Sequence, residues 1–327
     1  MLRSWCCCLL ILLFFVPVKA QTGDFFDSEE ILRLTLQSDW QSLREDRPDS
    51  ATYQIATISY LGEKAQYQLQ AKVKLRGNFR RRADICQFPP IRLKVSKEVA
   101  PGTPFQGNRK LKVVTHCRQE NWVLREYMVY KLYQKWSPHH FRVRLAQITY
   151  LEANGQSQET KYAFFIEDED HMAERLGGTI VEDTFRLKQV NQEVLTRLMA
   201  FQYSMGNTDW NVYLQKNIRL VQPKAGGPPI PVPYDFDWAS IVGTNYVNFG
   251  PNFDPRRVPR TCLSEDLYLA LFAQIKEEEK MYLNLISDDP HLPAEGKRMM
   301  GAYLRESFRL LRQKRTLQRV FLAGCEE

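Results

Sequence analysis

The chain has 327 residues, is 44% hydrophobic, 25% charged and 12% aromatic, and carries a formal net charge of +7. That composition excludes a disordered tail, a collagen-like fibre and a coiled coil, and it is enough for one large domain or two modest ones. Its only long apolar run lies at the N-terminus, so no multi-span helical membrane protein is expected.

Met1 to Ala20 reads as a secretory signal. Arg3 supplies the positive start, Leu9 to Val16 the apolar core, and Val18-Lys19-Ala20 a small-residue cleavage site near Ala20. A retained anchor is the alternative. A lipoprotein signal fits poorly, because Cys6, Cys7 and Cys8 precede the apolar run. The segment holds Arg3 and Lys19 and no acid, so its removal leaves a net charge of +5, compatible with a phosphate or an anionic surface as partner. Export to the periplasm or the medium is expected, with no transmembrane span after cleavage. Cys86, Cys117, Cys262 and Cys325 then remain, which permits two disulfides in an oxidising compartment. Three pairings are open. Cys86–Cys117 is favoured, since a strand and a turn between them bring the two together; four unpaired thiols are the alternative. No CxxC spacing points to zinc.

Residues 21–30 form a polar lead-in, and Ile31 to Glu167 is strand-rich. Strands are expected at 51–60, 110–115, 141–151 and 161–167. Tyr67, Leu69, Ala71, Val73 and Leu75 alternate with polar residues, which places Lys72, Lys74 and Arg76 on the opposite face. Ile91, Leu93 and Val95 repeat the pattern against Arg92 and Lys94. Leu61-Gly62-Glu63-Lys64 and Asn154-Gly155 read as hairpin turns. One helix, over 119–136, carries Leu124, Met128 and Leu132 on a stripe and ends at Ser137-Pro138. A helix over 191–206 follows, then short strands at 212–221 and 230–235 joined by the Pro/Gly-rich stretch from Pro223 to Pro233. Residues 245–262 look irregular, and helices over 264–286 and 294–318 close the chain. The layout is α+β: a strand-rich N-lobe over 21–167 and a mainly helical C-lobe over 168–327 holding a small sheet.

The densest acidic signal is Tyr234-Asp235-Phe236-Asp237-Trp238. Two carboxylates two apart at a strand exit suit a hard divalent cation such as Mg²⁺ or Mn²⁺; the alternative is a turn capped by its own Asp side chains. Gly206-Asn207-Thr208-Asp209-Trp210-Asn211 stops a helix and puts Asp209 on a loop, where it can take a proton or orient a nucleophile. Asn217 is a neutral oxygen donor beside the next strand. An Asx-turn network is the alternative. Taken together, the order is that of a metal–nucleotide site. Lys74, Arg76 and Lys94 are candidates for phosphate oxygens, whereas Arg80-Arg81-Arg82 reads as a solvated turn. Glu126 sits on the N-lobe helix within reach of a strand lysine. His139-His140 reads as a loop pair, and Glu167-Asp168-Glu169-Asp170 as a solvated corner. No aromatic platform accompanies the basic residues, so nucleic acid is not an expected partner.

In order, Leu75-Arg76-Gly77-Asn78, Ile91-Arg92-Leu93-Lys94, Leu124-Arg125-Glu126, Phe165-Ile166-Glu167, Gly206-Asn207-Thr208-Asp209 and Pro233-Tyr234-Asp235-Phe236-Asp237 resemble the CotH-type kinase-like proteins over roughly residues 50–300. The resemblance implies a two-lobed atypical protein-kinase-like fold. It implies Lys94 as the phosphate-contacting lysine, Glu126 as its ion-pair partner and Glu167 at the connection between lobes. Lys74, Arg76, Lys94 and Glu167 would contact the nucleotide. Asp209 would be the catalytic-loop aspartate, with Asn217 and Asp235 as metal ligands and Asp237 as a second carboxylate ligand. ATP with Mg²⁺ or Mn²⁺ and a protein hydroxyl as acceptor follow from it. The sequence departs from the pattern in having no Gly-rich phosphate loop and no HRD or intact DFG. Asn217 lies eight positions after Asp209, where about five is usual. Asn211 is therefore an alternative to Asn217, and Lys74 or Arg76 to Lys94. The expected function is an exported atypical kinase. A non-catalytic exported binding or structural protein with a basic N-lobe face is the alternative, and a metal-dependent phosphoester hydrolase a third.

Overall fold

A computed structural model describes residues 24–45, 52–61, 66–246, 254–259 and 263–323. The signal segment, the turn at 62–64, Cys262 and Cys325 lie outside the described residues.

Alternation builds the first half. β1 (Leu32–Ser38), β2 (Gln54–Leu61), β3 (Gln66–Leu75), β4 (Ile91–Val95), β5 (Lys110–Val114), β6 (Val143–Glu152) and β7 (Ser157–Ile166) form a closed barrel in the order β1-β2-β3-β4-β5-β7-β6. The parallel pairing of β1 with β6 closes it; all other neighbours are antiparallel. Closure leaves no unpaired edge and directs one side of every strand into a single core. Leu69, Ala71, Val73 and Leu75 of β3 point inward beside Ile58, Leu93, Leu111 and Ile148. The strand-rich reading holds, and β1 and the short α1 (Trp40–Glu45) are elements it did not separate. Trp40 of α1 fills one end of the barrel, with its indole N–H donating to the Leu36 carbonyl at 3.1 Å.

α2 (Glu120–Trp136) falls where the periodicity put it, but it is buried nearly all round. Its aromatic side takes part in a second core shared with the C-terminal helices, which include α4 (Gln192–Met205), α5 (Glu265–Ser287) and α6 (Ala294–Leu311). Among the described residues, no helix is long and apolar enough to cross a membrane. The acidic stretch expected as a solvated corner instead opens α3 (Glu169–Arg175), whose N-cap Asp168 accepts from the Asp170 amide. A strand that the sequence reading lacked, β8 (Gly178–Val181), joins β9 (Ile218–Pro223) and β10 (Ile230–Pro233) in a sheet of order β10-β9-β8. β9 starts six residues later than expected, because 212–217 is a tight turn closed by an Asn211–Lys216 bridge. Gly206 stops α4 at a φ of +63°, and a Cβ there would lie 2.0 Å from the Tyr303 hydroxyl oxygen, so glycine is needed on both counts.

Candidate functional site

The chemistry gathers where the barrel meets the β9–β10 hairpin and α2. The loop between β3 and β4 reaches across this junction and inserts Arg80, which is 7% exposed. Its Nη1 donates to Glu126 Oε2 at 3.0 Å, its Nε lies 3.2 Å from Asp237 Oδ2, and its Nη2 pairs with Asp235 Oδ1. One guanidinium therefore holds three carboxylates, and its five donors in a planar fork are what make that possible. Two features fix the loop. Phe79 packs edge-on against Trp238 and beside Tyr246, with ring centroids 5.3 and 5.7 Å away. A Cys86–Cys117 disulfide ties its far end to the chain just ahead of α2, the helix that carries Glu126. The favoured cysteine pairing is thus the one present.

Asp235 follows β10 in a left-handed conformation, φ +61°, at a non-glycine position. Such a residue costs about 1 kcal/mol or more and persists only where its surroundings hold it. Here the Asp235 amide donates to the Tyr130 hydroxyl of α2 at 2.8 Å. Burial opposes ionisation of Asp235, but Arg80 and Arg76 outweigh it and hold its carboxyl below the ordinary value. Burial pushes Glu126 up to about 7 against the pull of Arg80. Burial likewise raises Asp237, which Arg80 only partly offsets.

Cations line the other side of Asp235. Lys112 of β5 is buried, pairs with Glu169 Oε2 at 3.2 Å and lies 5.4 Å from the Tyr234 ring centroid. Arg219 of β9 pairs with the same carboxylate and stacks 4.9 Å from Tyr234. Arg76, at the end of β3, is half-buried and its guanidinium makes no hydrogen bond or ion pair among the described residues. Burial lowers the pKa of both Arg76 and Lys112, and in Lys112 the charge of Arg76 adds to the effect.

The Asp209 loop joins from below. Asn217 Nδ2 donates to the Asp209 carbonyl at 2.7 Å and to Asp209 Oδ2 at 2.8 Å, while Lys216 pairs with Oδ1. The Asn217 carbonyl accepts from the Tyr234 amide at 3.0 Å, so this residue is stitched both to the Asp209 loop and to the residue before Asp235. The Asx turn is present too, with the Asp209 amide donating to Asn207 Oδ1 at 3.0 Å. Asn211 is committed elsewhere: its Oδ1 caps the Leu214 amide at 2.8 Å.

Asp209, Asn217, Asp235, Asp237, Glu126 and Arg76 are therefore gathered by the fold around one junction, and three other expected residues are not. Glu126 pairs with Arg80 and not with Lys94. Lys94 and Lys74 sit on the outer face of the barrel, 6.0 and 4.8 Å from the Tyr53 ring centroid. Glu167 is fully buried and saturated, accepting from Arg142 at 2.9 Å and from Arg175 at 2.7 Å. It locks the ends of β6 and β7 to α3 and has no oxygen to spare for a nucleotide. His140 is a loop residue bonded to the Ser137 carbonyl at 2.8 Å, as expected. Arg80 corrects the reading of its run as a solvated turn, although Arg82 does fit it, exposed and paired with Asp84 at 2.6 Å. Lys112, Glu169 and Arg219 were missed; each carries ordinary strand or corner chemistry in sequence, and only the fold makes them neighbours.

No family model and no curated protein matches the sequence. Among solved structures, the chain is similar to the crystal structure of a Helicobacter pylori proinflammatory kinase, CtkA. The identity is 12%, the match covers 77% of this chain and 86% of that chain, and the TM-score is 0.30. A likeness of that size leaves the argument on the geometry of the site itself.

That geometry can do two things. The unpaired Arg76, with Lys112 and Arg219 beside it, can receive an anion with several oxygens. Asn217 Oδ1 accepts no hydrogen bond among the described residues, and Asp235 is partly exposed; both are hard oxygen donors of the type that Mg²⁺ or Mn²⁺ takes. Asp237 fits a metal poorly, since it is buried with its Oδ2 shared between Arg80 and the Tyr246 hydroxyl at 2.8 Å. Among the described residues, no group of three His, Cys, Asp or Glu side chains stands ready to cage a metal on its own.

Proposed function

We propose that the protein is a phosphotransferase of the kinase type. It takes a nucleoside triphosphate with Mg²⁺ or Mn²⁺ and passes a phosphoryl group to a protein hydroxyl, in an oxidising compartment outside the cytoplasm. The observation that supports this best is the hydrogen-bonded series Asp209–Asn217–Tyr234–Asp235. It ties a loop aspartate to a neutral oxygen donor just ahead of the β9–β10 hairpin and to a strand-exit aspartate at the hairpin's end, where the charge of Arg76 acts on Asp235. Arg76, Lys112 and Arg219 bind the phosphate oxygens. Asp235 and Asn217 hold the cation, which when bound neutralises charge developing on the phosphates. Asp209, kept in place by Asn217 and balanced by Lys216, orients the acceptor hydroxyl and receives its proton as the phosphoryl group leaves the nucleoside diphosphate. Asp237 and Glu126 anchor Arg80, which keeps the Asp235 carboxylate aimed.

A second reading rests on Arg80 itself. Because a built-in cation already pairs with Asp235, a metal-free scaffold that binds anions without chemistry also fits. A thermal melt with Mn²⁺–ATP separates the two. Ligand at about 100 times its dissociation constant adds about 2.7 kcal/mol, and that shift should vanish in Arg76→Gln, which breaks no hydrogen bond or ion pair among the described residues. A shift that needs Mn²⁺, together with labelled phosphate reaching an acceptor protein, upholds the kinase reading. The same shift with pyrophosphate alone and no transfer upholds the scaffold. No shift with any nucleotide or metal refutes both.

A further inference from the structure

The outer face of the barrel carries a second signal, which begins at Lys112 and runs away from the junction. Strand register sets Lys72 of β3 opposite Lys94 of β4, and Lys94 opposite Lys110 of β5. One step along, Lys74 faces Arg92, and Arg92 faces Lys112. Two rows of like charge thus cross three strands about 4.8 Å apart. Like charges directly opposite one another destabilise a sheet. Lys72, Lys74, Lys94, Lys110 and Arg92 have no ion pair among the described residues; Lys112, at the buried end of the second row, is the member that meets an acid, Glu169. Tyr53 lies under Lys74 and Lys94 and separates them only in part.

Apolar side chains share this face. Ile55 of β2 is directly opposite Lys72 and is 82% exposed; Leu61, at the far end of the same outward row, is 83% exposed. A β-branched aliphatic standing in water beside a row of lysines gains nothing from the folded chain. Both features are satisfied by one kind of partner, in which anionic groups lie over a hydrocarbon layer.

We infer that the outer face of β2–β5 docks the protein on an anionic lipid bilayer, with Lys72, Lys94 and Lys110 on the headgroups and Ile55 entering the acyl boundary. Juxtamembrane lysines and a small inserted apolar group act together in this way on other proteins. A nucleic acid is the less favoured polyanion, because it offers no hydrocarbon to Ile55 and Tyr53 on this face is already covered by two lysines.

The test is co-flotation of the purified full chain with vesicles of phosphatidylcholine alone or with one third phosphatidylglycerol. The N-terminal apolar run carries Arg3 and Lys19 and is common to the parent and every variant, so the difference between parent and variant on the anionic vesicles is the signal. Binding should favour the anionic vesicles and fall with added salt. Lys72→Gln/Lys110→Gln should bind them about 30-fold more weakly, at about 1 kcal/mol per lysine. The variant should melt no lower than the parent, since it removes repulsion. Ile55→Ser, which folds independently of the lysines, should weaken binding on the same vesicles without changing its salt dependence. Equal binding to neutral and anionic vesicles overturns the inference, as does a lysine variant that binds like the parent. Duplex or single-stranded DNA that displaces the vesicles while Ile55→Ser has no effect overturns it in favour of nucleic acid.

Discussion

Arg80→Met is the most informative single change. Methionine preserves much of the aliphatic volume and removes the only side chain among the described residues that pairs with Glu126, Asp235 and Asp237 together. Removing one partner of a buried ion pair costs about 3–5 kcal/mol, because the remaining charge has neither water nor a counter-ion. Here three carboxylates are left at once, but Glu126 titrates near 7 and Asp237 is raised, so both can shed their charge by taking a proton. The expected loss is therefore about 3–5 kcal/mol and not three times that. It should be larger at pH 8 than at pH 6, since without Arg80 the carboxyls titrate above their unfolded values and the folded state gains protons as the pH falls. Urea unfolding at the two pH values measures this. Glu126→Gln added to Arg80→Met should recover part of the loss at pH 8, as it deletes one of the stranded charges. A loss under about 1 kcal/mol at both pH values, or no recovery in the double variant, would refute the assignment of Arg80 as the organising charge.

Three further outcomes follow. His116 is buried against Phe88 and Tyr150, donates from Nε2 to Glu159 at 2.9 Å, and has its pKa pushed down to about 4 by burial. The folded state keeps it neutral while the unfolded chain protonates below about 6.5. Stability should thus fall by about 3 kcal/mol between those two values and flatten below, and His116→Gln should lose that acid limb in a urea titration. Cys86→Ser/Cys117→Ser opens a loop spanning 31 residues, for which loop-closure entropy gives about 3–4 kcal/mol, read as a lower melting temperature insensitive to reductant. Asp209→Asn should lower kcat about 100-fold or more in a transfer assay and leave the Mn²⁺–ATP melting shift in place; loss of both would move Asp209 from acceptor positioning to nucleotide binding.

What the sequence revealed and what it withheld have separate physical origins. Leu69, Ala71, Val73 and Leu75 sit in period two, and that local rule fixes both the strand and its inward face whatever the partner strands do. The stripe of Leu124, Met128 and Leu132 likewise suffices for α2. That Asp209, Asn217 and Asp235 lie close together was legible because Asn217 precedes β9, Asp235 follows β10 and Asp209 lies on the loop just ahead of that hairpin, so chain order brings them together. Arg80 was not, since three consecutive arginines are equivalent until a fold chooses which one points inward. The Lys94–Glu126 pair failed for a related reason. Reach from a helix acid to a strand base depends on where α2 lies on the barrel, and α2 meets the loop after β3 instead of the β4 lysine. The like-charge rows were hidden until register was known, because their members are more than ten residues apart in sequence.

Charge around Asp235 also constrains the order in which ligands enter. Glu126, Asp235, Asp237 and Glu169 supply four formal negative charges, and Arg76, Arg80, Lys112 and Arg219 supply four positive ones. The junction is formally neutral, and most of it is buried. A bare divalent cation would bring two uncompensated positive charges into surroundings where Arg80 and Arg76 already crowd Asp235, and desolvating it there is costly. A polyphosphate arriving with its cation brings its own compensation and gives Arg76 the partner it lacks. Mn²⁺ alone should therefore leave the melting temperature unchanged at concentrations where Mn²⁺–ATP raises it, and ATP without metal should give a smaller rise through Arg76, Lys112 and Arg219. A rise with Mn²⁺ alone, equal to that with Mn²⁺–ATP, would mean that the carboxylates and not the arginines govern the site.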